Sequence, residues 1–420
     1  MYIQSIKITN LKVFSELNWA LDEKTPLQGW HVILGANGSG KSSVIKAVAL
    51  VLVGNSQASA ARVPTSSWVR YGCDQAQLDL QIIGDAKFDF WPSEENNSSA
   101  MQFPISIVLS NKPLQQIQLH LEITPTWFTK DFREDICNGW FSAGFGPFRR
   151  FTGGNSDLHG LYSSHPRLAR HLSVFGEDVA LTEALTWLRD LRFKQLESQG
   201  QNNLLDKVRD FVNQEGFLPF GAKLMEVNSD QVIFRDGAGV DIPVLELSDG
   251  YRSVLSLTFE LIRQMAACFP NHELFDEAGT KIVIPGVVLI DEVDVHLHPN
   301  WQRKIGPWLC RLFPQVQFIV TTHSCFVCQE ATSVWRLPDP GMDDEFKRVT
   351  GEELTRLQLG DATLALETHA FGLEQNRSDR ANELLDELAT LNIRASSGQL
   401  NDQEASRRKE LKTLLQPVLL

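Results

Sequence analysis

Trp30-His31-Val32-Ile33-Leu34-Gly35-Ala36-Asn37-Gly38-Ser39-Gly40-Lys41-Ser42 is the stretch that decides the fold. Its last eight residues read G-x-x-x-x-G-K-[ST], the pattern of a phosphate-cradling loop. The apolar run before the loop predicts a buried strand. Ser43-Val44-Ile45-Lys46-Ala47-Val48-Ala49-Leu50 after it predicts a helix, with apolar residues three and four apart. Glycines let a backbone wrap a phosphate without Cβ clashes. Successive N–H groups and the helix N-terminus then present partial positive charge to the anion. The candidate contacts are Gly35, Ala36, Asn37, Gly38, Ser39, Gly40, Lys41, Ser42 and Ser43. Lys41 is expected to reach the β- and γ-phosphates of a nucleoside triphosphate, and the Ser42 hydroxyl to complete a Mg²⁺ shell.

Working outward, the 420 residues are 43% hydrophobic, enough for a large core, with a net charge of −13. That charge argues against a chain coated by nucleic acid over its whole surface and leaves room for a local basic groove. The apolar run Ala47 to Val53 is far too short to span a bilayer, and no leader pattern precedes it. Six scattered cysteines (Cys73, Cys137, Cys268, Cys310, Cys325, Cys328) suit reduced thiols, so the expected location is cytoplasmic. The lone Cys325-Phe326-Val327-Cys328 reads as buried thiols rather than a zinc site.

Alternation over residues 1–20 predicts a strand pair before the loop strand, and Ala76 to Ile83 a further strand. Residues 85–111 read as a hairpin with a variable tip, and Gln116 to Ile123 as its neighbour. Trp140 to Phe151 reads as an aromatic strand running into a basic turn, with an exposed loop over 154–166. Helical spacing follows at Leu181, Leu185, Leu188, Leu191 and again at Leu204, Val208, Phe211, Val212. Short strands are expected at Lys223–Asn228 and Gln231–Phe234, a helix from Ser248 to about Ala267, and another over Trp301–Leu312. The organisation expected is a first half over 1–140, a helical insert over 141–220, a second half over 221–350 and a helical region over 351–420.

Gly286-Val287-Val288-Leu289-Ile290-Asp291-Glu292 is an apolar strand ending in two carboxylates. Asp291 at the strand tip suits Mg²⁺, held directly or through water, and Glu292 suits a general base that polarises water. Phe318-Ile319-Val320-Thr321-Thr322-His323-Ser324 is a second such strand, and His323 at its end suits a hydrogen bond to a γ-phosphate oxygen. Leu247-Ser248-Asp249-Gly250-Tyr251-Arg252-Ser253 opens a helix; Ser248 and Gly250 make a second anion site. Two anion-binding helix ends in one chain suggest nucleotide held between two subunits.

Taken together, these blocks resemble the ATP-binding cassette ATPases of the SMC/RecF class, and Ile6-Lys7-Ile8-Thr9-Asn10-Leu11-Lys12-Val13-Phe14 resembles that class's opening strand. The resemblance implies that Gly35–Ser42 is Walker A, Leu247–Ser253 the signature motif, Asp291 and Glu292 Walker B, Asp294 the D-loop position and His323 the switch histidine. The block Asp291 to Gln302 is similar to that of stand-alone bacterial ATPases, including the ATPase subunits of Septu-type and retron-linked anti-phage systems. It implies an α/β fold: a P-loop cassette with an N-terminal antiparallel β-lobe, a helical insert and a C-terminal helical region. It also implies ATP and Mg²⁺ as ligands, a head-to-tail homodimer or higher oligomer, and an effector partner such as an HNH-type nuclease. No sustained heptads separate the halves as they do in SMC proteins, and the tail after residue 330 is too short for an added nuclease domain.

The glutamine of the usual Q-loop has no clear counterpart; the turn Gly146–Gly154 is the candidate region. Arg149, Arg150, Arg167, Arg170, His171, Arg189, Arg192 and Lys194, with Phe145, Phe148 and Phe151, suggest a DNA groove or a solvated helix face. Leu384, Leu385, Leu388, Leu391, Leu411, Leu414 and Leu415 suggest helices packed on the ATPase or a partner dock. Four functions remain open: an anti-phage ATPase switch, a RecF-like DNA-repair ATPase, the ATP-binding subunit of a membrane transporter, and a scaffold that binds ATP but barely turns it over, against which the intact Glu292 counts.

Overall fold

The computed structural model describes residues 1–58, 60, 65–85, 87–89, 102–110, 117–120, 140–149, 164–176, 182–198, 203–218, 221–342, 345–372 and 377–416. The tip of the 85–111 hairpin, most of the 154–166 loop, Leu181, Arg150 and Phe151 lie outside the described residues.

The strand pair at the start is β1 (Tyr2–Leu11) and β2 (Phe14–Ala20), followed by β3 (Gly29–Leu34) and the helix Lys41–Val53. Next come β4 (Gln75–Ile83), β5 (Gln102–Ser110) and β6 (Ile117–His120). β7 (Ser142–Phe145) precedes the helices Pro166–Phe175, Glu183–Glu197 and Leu204–Asn213. After these lie β8 (Lys223–Val227), β9 (Val232–Arg235), β10 (Asp241–Pro243) and the long helix Asp249–Cys268. The second half continues with β11 (Gly286–Ile290), β12 (Val316–Thr322), β13 (Ser333–Arg336) and β14 (Lys347–Arg348), and the tail is helical.

Strands β2-β1-β4-β5-β6 form an antiparallel sheet, and β10-β9-β8 a small one. The central sheet runs β14-β13-β3-β12-β11-β7, parallel except for β14. A parallel sheet needs cover on both faces, and its strands read as bare apolar runs for that reason. Val32 and Leu34 of β3, Phe318 and Val320 of β12 and Val288 and Ile290 of β11 face one core. Their neighbours Ile33, Ile319, Val287 and Leu289 face the other, as period-two alternation requires. The helix Lys41–Val53 is buried on nearly every side in that second core, between the central sheet and the antiparallel one. Gln317 ties those layers together: its side-chain amide donates to the Ile3 carbonyl and accepts from the Ile3 N–H, each at 2.7 Å.

Three expectations change. β7 is an edge strand of the central sheet rather than part of the insert, so the helical subdomain begins after it. Gly144 and Gly146 make this arrangement fit: a Cβ on Gly144 would sit 2.7 Å from His171 Nδ1, and one on Gly146 2.1 Å from the Ser173 carbonyl. The helix Pro166–Phe175 therefore lies directly on β7, over residues 166–175 where only a loop end was anticipated. The Trp301–Leu312 helix is two pieces, Pro299–Gln302 and Ile305–Leu312. Pro307 has no N–H to continue the ladder, and Gly306 sits where a Cβ would meet the Trp30 ring at 2.9 Å. Finally, the helices Asp379–Ser396 and Asp402–Leu415 pack on each other through Leu388, Leu391, Leu411 and Leu415, a small core separate from the two main ones. Leu414 remains exposed.

Candidate nucleotide site

The topology brings the candidate residues to one edge. Gly35 follows β3, Gly146 follows β7, Asp291 follows β11 and His323 follows β12, all at the carboxyl ends of adjacent parallel strands. Ligands of open α/β sheets bind at that edge.

The loop half is shaped by backbone. Gly38 and Gly40 adopt φ of 80° and 96°, in the left-handed region that L side chains avoid, and Gly40 caps the helix Lys41–Val53. A Cβ on Gly40 would lie 2.5 Å from the Phe14 ring, so the β1–β2 turn braces the loop from beneath. Lys41 is 5% exposed, and its Nζ donates to the carbonyls of Gly35 and Ala36 at 2.9 Å each. Burial lowers the Lys41 pKa, while Glu292, Asp291 and Asp294 hold it up. These acids therefore face the loop lysine.

The acidic half is shaped by hydrogen bonds between strands. Asp291 is 2% exposed; its Oδ1 accepts from the Thr321 hydroxyl at 2.6 Å, and the same hydroxyl oxygen accepts from the Glu292 N–H at 2.8 Å. Glu292 has φ of 47°, which turns its half-buried carboxylate away from the strand direction. Asp294 accepts from Thr322 Oγ1 at 2.5 Å and from the His323 N–H at 3.4 Å. His323 is exposed, and its pKa is lowered first by desolvation and then by the Lys41 charge, against Asp294, Glu292 and Asp291. Its imidazole thus feels both halves of the site.

A hydroxyl on Ser42 and a carboxylate on Asp291 are hard oxygen donors of the kind Mg²⁺ takes, with its remaining positions left to phosphates and water. Among the described residues no group of three or more His, Cys, Asp or Glu could hold a metal by itself. The donor set fits.

Ser248 holds the N-cap position of the helix Asp249–Cys268 without a side-chain capping bond, and Gly250 follows two positions on. Both line a cleft of about 600 Å³ with Tyr251, His296 and Trp301, to which no residue of Gly35–Ser42 contributes. The structure brings Lys41, Asp291, Glu292 and His323 within electrostatic reach of one another, and none of them lines the cleft of Ser248 and Gly250. A larger groove of about 1,230 Å³, between the 213–223 segment and the Pro299–Leu312 region, also lies away from the loop.

Among the described residues, the basic side chains nearest β7 are buried against it rather than open to a groove. Arg149, Arg167, Arg170 and His171 are at most 5% exposed. Arg170 Nε donates to the Ser142 carbonyl at 2.9 Å, Arg167 lies over the Trp140 ring, and His171 Nε2 pairs with Ser142 Oγ at 3.0 Å. They bind the insert to β7, while Arg192 and Lys194 remain on the surface. Cys325 and Cys328 are buried and their pKa values raised by desolvation, as expected of inert thiols. Thr321, Phe14 and Arg149 are the site residues that the sequence did not disclose. Each acts through a contact between distant segments that no local pattern encodes.

The fold is that of the ABC-type P-loop ATPases of the SMC/RecF class. Two family models match, one described as "AAA domain, putative AbiEii toxin, Type IV TA system" over residues 147–328 and one as "P-loop containing region of AAA domain" over residues 3–62. Among solved structures, the SMC head bound to the C-winged helix domain of ScpA superposes with a TM-score of 0.50 at 15% identity, over 85% of this chain and 100% of that one. More particularly, the chain is similar to the Septu protein PtuA of Bacillus mycoides (strain KBAB4), 26% identical over 77% of this chain and 38% of that protein. It is also similar to the Retron Ec83 probable ATPase of Escherichia coli, 38% identical over 29% of this chain and 22% of that protein. The chain spans less than half the length of these curated relatives.

Proposed function

We propose that this chain binds and hydrolyses Mg²⁺·ATP as a head-to-tail dimer whose closing and opening act as a conformational switch. Lys41 grips the β- and γ-phosphates, Ser42 and Asp291 hold the Mg²⁺, Glu292 polarises the attacking water and His323 hydrogen-bonds the γ-phosphate. The metal supplies charge that offsets the phosphates. The observation that carries this reading is the division of the site: the loop lysine, both carboxylates and the histidine share one edge, whereas Ser248 and Gly250 line a different cleft. A second copy, turned head to tail, supplies Ser248 and Gly250 to the first copy's nucleotide.

The similarity to Septu and retron ATPases supports a role in anti-phage defence, with a partner such as an HNH-type nuclease as effector. On this reading DNA enters through the complex. Among the described residues no helix is long and apolar enough to cross a membrane. The C-terminal helical pair, with its own small core, is the partner dock we favour.

The test is phosphate release by the purified chain, beside light scattering of Glu292→Gln with and without Mg²⁺·ATP. Turnover by the wild type, lost in Glu292→Gln while ATP drives that variant into dimers, is the expected result. A Glu292→Gln protein that hydrolyses ATP at the wild-type rate would remove the assigned base. One that stays monomeric with bound ATP would remove the dimer switch.

A further inference from the structure

Arg149 occupies the turn after β7, in the region where the glutamine was sought, and it is 4% exposed. Its guanidinium touches three parts of the site at once. Nη1 donates to the carbonyls of Gly146 and Asp291, at 3.0 Å each. Nη2 donates to the carbonyls of Glu292 and Val293 at 3.2 Å, and to that of Val295 at 3.5 Å. Nε donates to Ser253 Oγ at 3.3 Å, on the helix whose first turn carries Ser248 and Gly250. A guanidinium offers five N–H donors in a rigid plane, and here all of its nitrogens are engaged by protein.

The carbonyls explain why a cation is needed there. Glu292 at φ 47° breaks the strand direction, and the carbonyls of Asp291, Val293 and Val295 turn to the guanidinium, as does that of Glu292, which also accepts from the Val295 N–H at 3.2 Å. Left unpaired, such buried acceptors are costly. Asp291, Glu292 and Asp294 add negative charge around the same point, so the guanidinium stays protonated although burial pulls its pKa down to about 10.

We propose that Arg149 is a positioning residue that fixes the Asp291–Val295 turn, and with it the Glu292 carboxylate, while locking that turn to the helix bearing Ser248 and Gly250. The acid that serves a subunit's own nucleotide and the helix end that serves its partner's then move as one body. A lysine cannot replace it, because a single ammonium offers three donors from one atom and cannot span Gly146, Val295 and Ser253 together.

The kinetic arm of the test rests on the ATPase reading above; the exchange arm does not. In nucleotide-free protein, Arg149→Lys is expected to speed amide exchange at residues 291–297 and at 250–256 together, by about tenfold or more. Ser253→Ala is expected to free only the 250–256 segment. With Mg²⁺·ATP, Arg149→Lys should lower kcat by about tenfold or more, with KM and the ATP Kd changed less than about threefold. Exchange at 291–297 unchanged in Arg149→Lys overturns the proposal, as does a kcat kept at the wild-type value. A Kd that weakens as much as kcat falls also overturns it, because Arg149 would then be a nucleotide contact. If Arg149→Lys fails to fold, Ser253→Ala decides: exchange at 250–256 unchanged from wild type removes the lock. A wild-type chain without turnover breaks the ATPase reading and leaves the exchange result standing.

Discussion

The Gly35–Ser42 loop takes its shape from eight consecutive residues, whereas the face carrying Asp291, Glu292 and His323 takes its shape from segments far apart in the chain. In the loop, glycine dihedrals and a helix N-terminus make the anion site, and the side chains around it matter mainly by being absent. On the acidic face, Thr321 holds both Asp291 and Glu292, Thr322 holds Asp294, and Arg149 gathers the carbonyls between them. Local backbone geometry is robust to change elsewhere in the chain. A hydrogen-bonded network is only as fixed as the elements that meet in it.

Four measurements bear on that contrast. Lys41→Ala removes the charge of the loop half while leaving the backbone cradle, and it should lower ATP turnover by about 10²- to 10³-fold, the scale for losing one aimed donor. Turnover within a factor of a few of wild type would place the chemistry elsewhere. Next in size is Gly40→Ala, which forces an L side chain to φ 96° and against the Phe14 ring, and should destabilise the fold by about 3 kcal/mol. Gly38→Ala also meets φ 80°, but its Cβ would find only Pro340 at 3.6 Å, so it should cost about 1–2 kcal/mol. Equal melting temperatures for the two variants would show that the Phe14 contact adds nothing.

On the acidic face, Thr321→Val keeps the shape but removes one hydroxyl with two partners. The expected loss is about 2 kcal/mol in chemical denaturation, with turnover falling too. Stability that falls without any change in turnover would mean that Asp291 and Glu292 keep their orientation without it.

The last effect is a pH dependence within the loop strand. His31 in β3 is fully buried; its Nε2–H donates to the Leu27 carbonyl and its Nδ1 accepts from the Ser333 hydroxyl, each at 2.9 Å. Desolvation lowers its pKa from 6.5 to about 4. The folded state keeps it neutral where the unfolded chain takes up a proton. Its contribution is therefore full above pH 6.5 and is lost as pH falls toward 4. At pH 5 the loss should be about 2 kcal/mol relative to pH 7, and His31→Gln should flatten that part of the melting-temperature profile. An unchanged slope would assign the acid sensitivity to the buried His171, whose pKa is depressed to about 3.

The same contrast accounts for what could be read in advance. Walker-like residues 35–42, the apolar strand into Asp291 and Glu292, and the strand into His323 were legible because each is a contiguous pattern with one dominant cause. Arg149, Arg167 and Arg170 escape a sequence reading because charge in a sequence signals solvent by default, and only packing reveals that they spend theirs on buried carbonyls, rings and strand ends. β7 was taken into the insert because a strand of four residues carries too little periodicity to announce which sheet it joins. The sequence by itself determined that a phosphate loop and a strand-end acid pair coexist in one α/β chain, since glycine conformations and apolar alternation are local properties. Only the tertiary structure decided that Thr321 and Arg149 hold those acids and that Ser248 and Gly250 line a cleft without them, because these depend on the order of strands in the central sheet and on what packs against it.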